Sequence, residues 1–141
     1  MKADRLGNVL LSKAGRMILL LVISVACASI ASAATYTVTK TADTNGVCNP
    51  GVDCSLREAI AVANTLSTND TINFVIPTSD PGCSGGVCTI TLSSSLGQLV
   101  INSASSSGSL TIINTSSTQR IEISGNNATR VFQVNSGANV T

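Results

Sequence analysis

Cys48, Cys54, Cys83 and Cys88 are the side chains whose type and spacing most narrow the chemistry open to this sequence. Thiols at such intervals either ligate zinc or close disulfides. The spacings are C-x5-C and C-x4-C, and the chain has no histidine to complete a mixed ligand set, so zinc is not expected. An even set of cysteines in an exported domain points instead to disulfides, which persist in oxidising compartments. Four cysteines allow three connectivities; proximity favours Cys48 with Cys54 and Cys83 with Cys88, each closing a short loop.

Acid–base and nucleophilic chemistry find few candidates. Arg57 and Glu58 are adjacent opposite charges, but Ser55-Leu56-Arg57-Glu58 reads S-x-x-E. In that capping box the serine hydroxyl and the glutamate carboxylate satisfy orphan amides at a helix start. The cap accounts for Glu58 and leaves Arg57 in solvent. Serines are abundant, yet the base they would need is lacking: there is no histidine, and Lys40 is the lone lysine after residue 33. Glycoside hydrolysis needs two carboxyl groups about 5 to 10 Å apart, and a calcium-dependent lyase needs several acidic oxygens. From Val87 to Thr141 the one acid is Glu122, and there is no tryptophan to stack on a sugar. Asp43, Asp53, Asp70 and Asp80 fall where turn-making and capping explain them. No catalytic, metal-binding or cofactor-binding residue is assigned, and this segment is expected not to be an enzyme.

The charge balance excludes a further class. After residue 33, Lys40, Arg57, Arg120 and Arg130 face Asp43, Asp53, Glu58, Asp70, Asp80 and Glu122, a slightly acidic set. Four dispersed cations cannot neutralise a run of phosphates, so nucleic acid is discarded as a partner. Asn69, Asn114, Asn127 and Asn139 each open an N-x-S/T triplet, expected by chance in a chain so rich in Asn and Thr.

The amino end reads as a secretory signal over residues 1–33. Lys2, Arg5, Lys13 and Arg16 lead into the apolar run Met17 to Ala26, and Ala31-Ser32-Ala33 supplies the A-x-A cleavage pattern, placing the cut between Ala33 and Ala34. A membrane span would need about 20 apolar residues, and Ser24, Ser29 and Ser32 dilute this one. Lipidation at Cys27 is disfavoured because Ser24, three positions upstream, is not a branched apolar residue. The protein is expected to be exported, either secreted or held at the cell surface or outer membrane.

Between these features lie elements that position them. Tyr36 and Val38 alternate with threonines over Thr35 to Thr41, a half-buried strand pattern. Asn45, Gly46, Asn49, Pro50 and Gly51 mark a loop. Leu56, Ala59, Ile60 and Ala63 recur at helical spacing, giving a short amphipathic helix near 55–64. Thr71 to Ile76 is a strand, and Pro77 to Gly86 is read as irregular. Further β-rich runs follow at Cys88–Leu92, Gln98–Ile101, Ser109–Ile113, Arg120–Ser124, Arg130–Val134 and from Asn139 onward, about 10 to 12 residues apart. Such spacing fits a sandwich or a parallel β-solenoid. Loose Ser-rich connections and a core of Ile, Val and Leu with few aromatics favour the solenoid.

The string Cys54-Ser55-Leu56-Arg57-Glu58-Ala59-Ile60, preceded by Thr41-Ala42-Asp43-Thr44 and Cys48, resembles the CSLREA-type domain, which is named for it. Asp70-Thr71-Ile72-Asn73-Phe74, Gly125-Asn126-Asn127 and Arg130-Val131-Phe132-Gln133-Val134 are similar to its rung sequences. The resemblance implies the amino-terminal portion of a bacterial secreted or surface protein that continues as a right-handed parallel β-helix. It implies no reaction, since one scaffold carries unrelated functions.

The expected architecture is therefore mostly β: a signal peptide at 1–33, a disulfide-pinned strand, loop and helix at 34–88 closing one end of a solenoid, and first rungs at 89–141 that continue beyond Thr141. The expected function is a non-catalytic, adhesin-like or structural surface module. Its partners would be downstream rungs of the same protein and a surface ligand such as a polysaccharide or a host or neighbouring cell. The alternative is the front of a β-helix polysaccharide lyase or glycoside hydrolase whose active site lies downstream. A solenoid stopping at Thr141 would expose apolar rows and unpaired strand edges over about 130–141, favouring self-association.

Overall fold

The computed structural model describes residues 32–102 and 108–141, a mostly β arrangement of eight strands and one short helix among those residues. The signal expected over 1–33 lies outside the described residues up to Ala31. Strand β1 (Thr35–Val38) buries Tyr36 and Val38, as the alternation with threonine requires. It runs parallel to β2 (Asp70–Phe74), with Thr35 opposite Thr71 and Val38 opposite Phe74. Parallel neighbours need a crossover, and residues 39–69 provide it as a loop followed by helix α1 (Leu56–Ala63). Helix α1 buries the stripe Leu56, Ala59, Ile60 and Ala63.

Beyond β2 come β3 (Cys83–Ser84), β4 (Val87–Thr91), β5 (Leu99–Ile101), β6 (Leu110–Ile113), β7 (Arg120–Ser124) and β8 (Phe132–Val134). The stretch read as irregular over Pro77 to Gly86 contains β3, which turns back on β4 as a hairpin. Gly85 and Gly86, with φ of 57° and 79°, supply the left-handed geometry that a two-residue turn needs. Three sheets result, in the orders β1-β2-β6, β3-β4-β7 and β5-β8, and every pairing except the hairpin is parallel. From β2 onward the chain visits the three sheets in one order, twice. A parallel bridge from Leu110 to Val140 then returns it to the first.

Register sets the core in rows. Ile72 faces Ile112, Ile90 faces Ile123, Leu99 faces Phe132 and Ile101 faces Val134. Burial is complete on the earlier member and fades on the later one. Leu99 and Ile101 are 1% and 3% exposed, whereas Phe132 and Val134 are 36% and 53% exposed. Each row is covered by the strand stacked beyond it, and the described residues place no strand beyond β7 or β8.

Candidate functional site

The densest cluster of charged and polar side chains lies where the 39–55 loop meets α1. Disulfides join Cys48 to Cys54 and Cys83 to Cys88, with Cα separations of 4.4 Å and 4.0 Å. The first ties the loop to the residue before the helix, where the Thr39 amide also bonds the Cys54 carbonyl at 2.9 Å. The second links register partners of the β3-β4 hairpin. Ser55 then caps α1: its hydroxyl accepts from the Glu58 amide at 3.2 Å, and the Glu58 carboxylate accepts from the Ser55 amide at 2.8 Å. The same carboxylate accepts from the Thr44 hydroxyl and the Gly46 amide, both at 2.8 Å, so Glu58 gathers the loop as well as the helix end. Burial raises the Glu58 carboxyl, but bonds from the Ser55 amide, the Thr44 hydroxyl and the Gly46 amide, with the Lys40 charge, outweigh it and hold the group below its usual range.

Arg57 is not solvated as its position after the cap suggested. Its side chain is 12% exposed and grips Asp43 bidentately at 2.7 and 2.9 Å. It also donates to the carbonyls of Leu96, Gly97 and Gln98 at 3.3, 2.7 and 3.2 Å. The local S-x-x-E pattern could not reveal this, because those carbonyls lie about forty residues away in sequence on the approach to β5. Asp43, expected only to make a turn, is a buried acceptor that also takes the Ser93 amide at 2.9 Å. Asn64 at the C-cap does comparable work, donating to the Val100 carbonyl at 2.8 Å and accepting from the Asn102 amide at 2.9 Å. Its side-chain amide stands in for the strand that β5 lacks on that edge.

The remaining acids are fixed as acceptors. Asp80 takes the Thr41 hydroxyl, the Gly82 amide at 2.9 Å and the Thr41 amide at 3.3 Å; burial pushes its carboxyl up, but these bonds bring it below the usual range. A side chain at Gly82 would overlap Thr41 there. Asp53 pairs with Lys40 at 2.6 Å, and Glu122 with Arg120 at 2.7 Å on the surface. Asp70 accepts the Ala34 amide at 3.0 Å and the Thr68 hydroxyl at 2.8 Å. Ala33 and Ala34 themselves sit at the head of β1, the former exposed and the latter half-buried.

Among the described residues, clefts border these elements at three places. One beside α1 is lined by Arg57, Ile60, Asn64, Leu96, Gln98 and Val100, among others, with Arg57 its single titratable group. A second, next to Phe74, Thr115 and Gln119, has none, and a third, between Asn64, Asn102 and Ser109, has Asp70 alone. None brings two carboxylates together. Among the described residues no group of three or more Cys, Asp or Glu could share a metal ion, and no helix is long and apolar enough to cross a membrane. What the cluster does chemically is bind backbone to backbone: it satisfies amides and carbonyls that a sheet edge and a helix start would leave open.

No protein-family model, curated protein or solved structure matches the chain.

Proposed function

We propose that this chain is the amino-terminal portion of an exported, non-catalytic surface or secreted protein of the CSLREA type, adhesin-like or structural, built as a right-handed parallel β-helix. One observation carries the reading: β2, β4 and β5 are paired in parallel, in the same order, by β6, β7 and β8. A coil of three-stranded rungs has that topology. On this reading the first rung opens at Asp70 rather than at residue 89, because β2 already stacks on β6.

The elements before Asp70, together with β3 inserted after β2, then act as the end cap. Strand β1 pairs the outer edge of β2, the Cys83–Cys88 hairpin pairs that of β4, and Asn64 with Arg57 occupies that of β5. Three sheet edges are blunted by three devices, which a solenoid end requires. Between buried positions, β2 and β4 turn Thr71, Asn73, Thr89 and Thr91 outward. On β4 the outward Thr89 lies against Glu122 of β7, but Thr71 and Asn73 on β2 are uncharged, and such hydroxyl and amide groups suit a neutral, hydroxyl-rich ligand such as a polysaccharide.

Protease shaving and antibody labelling of intact cells, combined with glycan-array binding and a reducing-end assay on the exported protein, test the reading. Surface exposure with binding and no cleavage is expected. Retention inside the cell would overturn it, and release of new sugar ends would replace it with the polysaccharide-cleaving alternative.

A further inference from the structure

Asp70 opens β2 with a carboxylate that is 2% exposed and only half satisfied. Its Oδ1 accepts the Ala34 amide at 3.0 Å and the Thr68 hydroxyl, while Oδ2 has no hydrogen-bond partner among the described residues. The ion pairs of Lys40, Arg57 and Arg120 all lie elsewhere. Tyr36 of β1, opposite Ile72, lies within reach of its charge, and its phenol is pushed up by burial and then by Asp70. A neutral phenol supplies no counter-charge. A buried carboxylate left this way is costly, and natural cores pair it.

We propose that the counter-charge is the amino terminus created when the chain is cut between Ala33 and Ala34, so that processing completes the first sheet. The inference rests on the export reading and adds a structural consequence to it. Hydrolysis of that peptide bond consumes one water, leaves a carboxylate on Ala33 and turns the Ala34 amide into an amine, which takes up a proton. One donor 3.0 Å from Asp70 Oδ1 thereby becomes an ammonium with three N–H groups, one to keep Oδ1 and another free for Oδ2.

The site is already built. The Ala34 carbonyl accepts the Thr71 amide at 2.8 Å, which fixes the residue at the head of β1 before any cut is made. Ser32 and Ala33 are exposed, so their loss removes no packing. The ammonium arrives in place, with little ordering left to do. Its pairing with a buried carboxylate raises its pKa above the usual range of about 7.7 to 8.0. The bond is therefore present below that range and is lost as pH rises through the folded value.

The exported protein, with its terminus read by mass spectrometry, gives the test. Amine acylation at neutral pH compares the Ala34 α-amine in native and urea-unfolded protein with disulfides intact; Lys40 is the other amine after Ala33. One unit of raised pKa lowers the free amine about tenfold, so the native α-amine should react roughly ten times more slowly or slower still. Asp70→Asn should bring the native rate back toward the unfolded one. A chain mutated to resist cleavage, and so retaining Ser32 and Ala33, should melt about 4 °C or more below the processed chain. If Asp70→Asn does not fold, the native-to-unfolded rate ratio of the natural sequence still decides. A terminus at Ala34 that reacts equally fast in both states overturns the proposal and leaves the export reading standing. Cleavage at another residue overturns the proposal and leaves the export reading standing, whereas an uncut chain beginning at Met1 and retained in the cell overturns both.

Discussion

At Arg57 a planar guanidinium with five N–H donors meets two carboxylate oxygens and a run of three carbonyls, a set that no other side chain can serve. Replacing it with alanine strands the buried Asp43 charge, and urea melts should show a loss of about 3 to 5 kcal/mol. Arg57→Lys should recover only a minor part, because an ammonium cannot bridge both oxygens and reach the carbonyls. Ser55→Ala removes one capping bond and should cost about 0.5 to 2 kcal/mol. Glu58 and Asp80 give the residue scale a pH signature. Both carboxyls are lowered on folding, so the unfolded chain binds more protons in acid. Their stabilisation is complete above the ordinary values of 4.5 and 3.8 and drains away as pH falls through the folded ones. Acid titration of the melting temperature should show this limb, and Glu58→Gln should flatten its upper part.

Among the elements, the two disulfides close loops of similar size, with separations of 6 and 5 residues. Chain entropy assigns loops so short about 2 kcal/mol each, so mild reduction should lower stability without abolishing the fold. Asn64→Asp should be worse than Asn64→Ala, since it sets a carboxylate oxygen against the Val100 carbonyl where an N–H had been. Local signals made several elements legible beforehand. The capping box and the 3.6 spacing marked α1, alternation marked the strand from Thr35, and a β-rich run marked the one from Arg120. Strand β3 escaped because two residues carry no period, and its hairpin turn was read only as a breaker. Arg57, Asp43 and Asn64 escaped for another reason: their partners lie outside any local window, and an exposed charge and a buried clamp have the same neighbours in sequence.

For the whole molecule, the fading of burial along the rows has a measurable outcome. Phe132 and Val134 are exposed on β8, whose outer edge has no partner strand among the described residues, and such edges invite pairing with another copy. A 34–141 segment prepared by itself should associate as its concentration rises, by light scattering. Val134→Lys should suppress that association with little change in the melting temperature. The stacking itself can be trapped: Thr71→Cys with Thr111→Cys places two cysteines at register partners on β2 and β6, about forty residues apart in sequence. Oxidation should join them, and failure under conditions that form the native pairs would refute the parallel register.

The end blunted by β1, the hairpin and Asn64 is also the end that a ribosome makes first. Its disulfides span a handful of residues, its capping box spans four, and α1 forms from neighbours in sequence. Each later strand must instead find a partner thirty or forty residues upstream. A chain growing in that direction has a template waiting whenever a new strand emerges, so loop closure is met one turn at a time rather than all at once. On the parallel-coil reading, the order of the chain is therefore also the order in which sheet edges become available to the strands that follow.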